Sequence, residues 1–205
     1  MTVMPMFPLG VVHFPHVFLP LRVFEPRYRA LTRDCLAGDG EFGVVLIERG
    51  PEVGGGDERF DVGTVTRIVD AGVDAAGMIQ LQTVGTRRIR VRTWLEDDPY
   101  PRADVDSLAE PELGPAQRAA FVEAERAVRH ALALRAELDE PAVPFNVDLD
   151  DDPSRALFQL AAIAPIGPTD QQRLLGIEDG AALLLALTEL VTDEAVFLAQ
   201  RLAGG

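Results

Sequence analysis

The chain has no lysine: all 19 of its basic residues are arginine. That absence excludes two kinds of chemistry. A phosphate-binding loop of the form GxxxxGK[ST] needs a lysine beside the phosphates. A Ser/Lys peptidase dyad needs a lysine to activate its serine. Serine is nearly missing too, with Ser107 in a linker and Ser154 at a helix start. Neither sits in a nucleophile elbow. The single cysteine, Cys35, excludes an intramolecular disulfide and suits a reducing compartment. It is expected as a small buried residue on the first helix. Of the three histidines, His13 and His16 straddle Pro15 in an extended segment with no cysteine pair nearby, and His130 is remote. Zinc sites want three or four ligands at defined spacing, so no metal and no cofactor are expected. No apolar run approaches the ~20 residues of a membrane span. The N-terminal MTVMPMFPLG lacks the basic region of a secretory signal. A cytoplasmic protein is the expectation.

The chain is 205 residues long with a net charge of −14. The length suits one large domain or two small ones. The charge repels polyanions, which argues against nucleic acid as the main partner, because phosphate neutralisation supplies most of that affinity. The acidic run at Asp148, Asp150, Asp151 and Asp152 lacks the glycine and closing glutamate of a calcium loop and is expected to cap the next helix.

The organising stretch runs from Met6 to Leu31, MFPLGVVHFPHVFLPLRVFEPRYRAL. Pro8, Pro15 and Pro20 each remove a backbone donor and fix φ, so this stretch predicts a kinked strand bending around a core. Pro26 then opens a helix with Tyr28, Leu31, Cys35 and Leu36 on one face. Strands are predicted at 41–49, 60–70, 78–84, 86–95 and 100–105, with the glycine run Gly54–Gly56 as a hairpin loop and a break near Gly85. Beyond Ser107, LAEPELGPAQ reads as a linker. A long amphipathic helix follows from Pro115 to about Leu138. Three further helices come after it, with Asp152, Thr169 and Asp179 as N-caps.

Phe7-Pro8-Leu9, Phe14-Pro15, Leu19-Pro20-Leu21 and Phe24-Glu25-Pro26-Arg27-Tyr28, in that order, resemble the opening signature of the Lon protease N-terminal domain. The helical stretch from Pro153, with its Gln-Arg-Leu-Leu helix, is similar to the later half of that domain. The resemblance implies a stand-alone bacterial member without the ATPase or peptidase. Its implied fold is α+β: a PUA-like antiparallel β-barrel with one helix over 1–108, then a helical bundle over 109–205. It implies a non-catalytic module that binds unfolded or exposed apolar protein segments, in partnership with a separate protease or chaperone. A groove between barrel and helices is the expected location, lined by Phe14, Phe18, Phe24, Tyr28, Trp94 and Tyr100. Two other readings stand beside it. Arg88, Arg90 and Arg92 alternate along one strand face and could serve an RNA-binding PUA-like protein. Alternatively, a small ligand could occupy the inter-domain cleft. The oligomeric state is not legible.

Overall fold

A computed structural model describes residues 2–53, 55–141 and 143–204; Gly54, in the expected hairpin loop, lies outside them. The chain separates into two units, Met1–Ala109 and Glu110–Gly205.

The first unit contains β1 (Thr2–Leu9), β2 (Phe18–Val23), α1 (Pro26–Ala37), β3 (Glu41–Arg49), β4 (Glu58–Val73), β5 (Ile79–Trp94) and β6 (Arg102–Ser107). Their sheet order is β2-β5-β4-β3-β1-β6, and β6 also pairs with β5, so the ladder returns on itself. The expectation of a purely antiparallel sheet is corrected. β1 runs parallel to β3, with Met6 opposite Gly43 and Leu9 opposite Leu46. Parallel neighbours need a long crossover, and residues 10–40, including α1, provide it. β1 alternates between two cores: Phe7 and Leu9 join Leu21, Val23, Tyr28 and Leu31, whereas Met4 and Met6 join Val45, Val65 and Ile89. β3 is accordingly buried on both faces from Glu41 to Leu46.

The break expected near Gly85 is an irregularity within one strand. β5 is one 16-residue strand, with a register shift against β4 at this point. The proline-rich segment crosses β5 here. The His16 N–H donates to the Gly85 carbonyl at 2.9 Å, and the Gly85 N–H donates to the Val17 carbonyl at 3.0 Å. A Cβ on Gly85 would lie 2.2 Å from the Phe14 carbonyl oxygen, so only glycine permits the approach.

The second unit contains a short 3-10 turn (Pro115–Gln117), α2 (Arg118–Glu137), α3 (Pro153–Ile163), α4 (Pro168–Leu175) and α5 (Gly180–Gly204). α2 buries Ala124, Val128, Ala131 and Leu132, and packs along α5, which buries Leu183, Leu184, Leu187 and Val191. Asp152 caps α3 by accepting from the Ser154 and Arg155 amides. The Asp179 carboxylate accepts from the Ala182 amide at 2.8 Å. Thr169 is not the cap expected for α4: Gly167 holds that position and Pro168 is the first helical residue. Among the described residues, no helix is long and apolar enough to cross a membrane.

Gly85→Ala should cost about 2 kcal/mol or more, as overpacking against a fixed carbonyl does. Urea unfolding measures this, and an unchanged midpoint would contradict the close approach. His13 is 3% exposed, and burial pulls its imidazole down to about 4 from 6.5. The unfolded state therefore binds the extra proton first. His13 costs no stability above pH 6.5, and its penalty grows to about 3 kcal/mol as the pH falls to 4. Unfolding at pH 7 and pH 4.5 should show a smaller acid loss for His13→Gln than for the wild type. An equal loss would contradict the assignment.

Candidate functional site

An apolar cleft of about 450 Å³ lies wholly within the first unit. β2 and the start of α1 form one wall through Pro20, Leu21, Arg22, Val23, Phe24, Glu25 and Tyr28. Phe7 and Leu9 of β1 face them, and Glu52 and Val53 of the β3–β4 loop close one side. The volume is within the range of small-molecule and side-chain sites.

The floor is rigid. The rings of Phe7 and Tyr28 stack at 3.9 Å with their planes 10° apart. The Arg27 guanidinium covers Tyr28 at 4.4 Å from its centroid. Arg27 is held in turn by the Glu25 carboxylate at 3.1 Å and by the Glu52 carbonyl at 3.5 Å. The Glu52 carboxylate accepts from the Gly10 amide at 3.2 Å, which ties the loop to the end of β1. Burial pushes the Tyr28 hydroxyl well above its ordinary value, so it keeps its proton at neutral pH. The mouth is apolar and exposed: Phe24 is 54% accessible, Val53 is exposed beside it, and Phe18, 70% accessible, lies on the same outer face of β2. With two stacked rings, aliphatic walls and both carboxylates engaged, the cleft is suited to receive an apolar group.

The six residues expected to line a groove are dispersed. Phe24 and Tyr28 border the cleft, and Phe18 stands on the adjoining strand surface. Phe14 is fully buried beneath Gly85. Tyr100 is buried and donates its hydroxyl to Asp34 at 3.0 Å. Trp94 lies under the Arg59 guanidinium, 4.6 Å from the ring centroid, and Arg59 is fixed by Asp57 at 2.6 Å and Asp97 at 2.9 Å. The sequence reading missed Leu9, Leu21 and Val53 as lining residues. The Leu19-Pro20-Leu21 pattern marked a strand but not its place at the sheet edge.

The arginine stripe is also corrected. Arg88 is completely buried and donates to the Ala109 carbonyl. Its own carbonyl accepts from Leu108, so it secures the chain beyond β6. Arg90 and Arg92 are exposed, but Arg92 is paired with Asp106 on the neighbouring strand. Cys35 is buried, donates to the Glu41 carbonyl at 3.3 Å, and has its thiol pushed up to about 12 by burial, which keeps it unreactive. Among the described residues, no three His, Cys, Asp or Glu side chains gather as a metal-holding group.

A mixed sheet with one covering helix, followed by a unit of packed helices, defines an α+β protein with its apolar cleft at a sheet edge. The chain belongs to the family of the ATP-dependent protease La (LON) substrate-binding domain, whose model matches residues 3–193. It is 25% identical over 197 residues to Lon protease 1 of Myxococcus xanthus, covering 93% of this chain and 24% of that protein. It is 28% identical over 204 residues to the Lon protease of Desulfovibrio desulfuricans, covering 96% and 23% respectively. The chain thus spans about a quarter of the length of these curated relatives. A Lon N-terminal domain protein from Xanthomonas campestris, known from its crystal structure, superimposes with a TM-score of 0.67 at 28% identity, covering 92% of this chain and 98% of that one. The N-terminal domain of the Mycobacterium avium complex Lon protease superimposes with a TM-score of 0.68 at 17% identity, over 94% and 99%, a likeness of fold.

Proposed function

We propose that this chain is a non-catalytic recognition module that binds exposed apolar segments of unfolded or misfolded proteins in the β2 cleft. The single observation that carries this is the exposed apolar rim, Phe18, Phe24 and Val53, beside a cleft floored by stacked rings, in a member of a substrate-binding family. Soluble proteins leave such rims uncovered where they meet a partner. The absence of lysine removes the phosphate-loop and Ser/Lys chemistry that an ATPase or peptidase of this kind would need. The relatives it matches are Lon proteases, and on this reading the bound segment is handed to a protease or chaperone. We read the self-closing ladder as a PUA-like barrel subdomain over 1–108 and the helices as a bundle subdomain over 109–205.

Fluorescence anisotropy with a labelled, reduced and carboxymethylated α-lactalbumin tests the reading. The unfolded protein should bind, and the native, disulfide-bonded form should not. Phe24→Asp, an exposed substitution with little effect on folding, should weaken binding roughly tenfold, the effect of losing one apolar anchor and placing a charge in its contact. No binding of the unfolded form, or equal binding by the variant, would overturn the reading.

A further inference from the structure

The cleft follows the side of a strand, not one of its faces. Pro20, Leu21, Arg22 and Val23 all border it, although Leu21 and Val23 turn to the core and Pro20 and Arg22 to solvent. Successive residues of a strand alternate faces, so a cavity that touches all four runs along the hydrogen-bonding edge. That edge has no strand partner among the described residues: β2 ends the sheet order and pairs with β5 alone. Across the cleft, Phe7 and Leu9 belong to the half of β1 that pairs with β3 but not with β6.

The register determines what the edge offers. Val17 and Leu19 direct their carbonyls to β5, accepting from the Gly85 amide and the Thr83 hydroxyl. In an antiparallel pair, alternate residues turn their backbone groups away, which leaves Phe18, Pro20 and Arg22 facing outward. Proline is tolerated in a strand where its missing N–H would have pointed off the edge. The outer edge therefore carries three carbonyls and two amides, an excess of acceptors. A second copy of β2, paired antiparallel, would set Pro20 against Pro20 and leave that pair without a donor. A proline-free peptide brings a donor at each alternate residue that faces the edge, including the one opposite Pro20.

We propose that the occupant is an extended, proline-free peptide segment that adds to β2 as a strand, main chain to main chain, and places one apolar side chain in the cleft. The proposal rests on the peptide-binding reading above and states its mode. Strand addition draws affinity from backbone hydrogen bonds and reads side chains only at alternate positions. It accepts many sequences, provided the chain is free to extend. Six residues of edge span roughly 20 Å at the rise of a strand.

The test uses three synthetic heptapeptides of one sequence, a phenylalanine flanked by valine and threonine, measured by anisotropy on the full chain. One is unmodified, one is N-methylated at odd positions and one at even positions. Strand addition predicts that one parity loses roughly tenfold or more in affinity, because the two or three main-chain hydrogen bonds it donates to the edge are removed. The other parity should stay within about twofold. Equal losses for both parities, or none, would overturn strand addition while leaving peptide binding in place. No binding of the unmodified peptide would overturn both. As an independent check, Arg22→Pro removes an outward amide and should weaken the unmodified peptide with no change in the thermal melt. Self-association of the wild-type chain that the peptide cannot reverse would assign the edge to a second copy instead.

Discussion

The approach of the Phe14 carbonyl to Gly85 governs the first unit. At this point the proline-rich segment leaves the interior, crosses β5 and begins β2. Because position 85 has no Cβ, the two backbones come close enough to exchange hydrogen bonds through His16 and Val17. Those bonds set the register of β2 on β5, with Leu21 opposite Leu81 and Val23 opposite Ile79. The register in turn decides which side of β2 is buried and which groups its outer edge presents. Phe14 remains in the interior below the crossing, and Phe18 emerges beyond it.

Pro20 explains how the β2 edge stands with no strand partner among the described residues. An open row of strand donors and acceptors invites pairing between copies. Pro20 withdraws one donor from the row while preserving its carbonyl, and Arg22 adds an exposed charge. The edge is thereby discouraged from meeting itself yet remains open to a chain with donors to spare. The net charge of −14 adds repulsion between copies. Beneath the edge, the Phe7, Tyr28 and Arg27 stack builds the floor of the cleft from side chains that hold one another in place. Preorganisation of this kind lowers the cost of binding.

Much of the fold was readable from local signals, because those signals act over a few residues. Pro26 at a helix start, Asp152 as an N-cap and the apolar stripe of Ala124, Val128 and Leu132 depend only on nearby neighbours. What could not be read was set by contacts distant in sequence. The parallel pairing of β1 with β3 depends on where the chain re-enters the sheet. The continuity of β5 through Gly85 depends on a backbone approaching from residue 14. The burial of Arg88 follows from the Ala109 carbonyl, which a period-two reading of alternating arginines cannot anticipate. The aromatic residues illustrate the same limit. Phe24 and Tyr28 border the same cleft because the helix start places them together, whereas Trp94 and Tyr100 find their partners, Arg59 and Asp34, across loops.

The central claim is that an unfolded segment is held along the outer edge of β2. Amide hydrogen exchange of the chain, with and without saturating carboxymethylated α-lactalbumin, tests it most directly. The account predicts new protection confined to residues 18–24 and the facing end of β1, with the Arg22 amide slowed most strongly. Protection centred on α2 and α5, or on the strand carrying Arg90 and Arg92, with β2 exchanging as before, would contradict it.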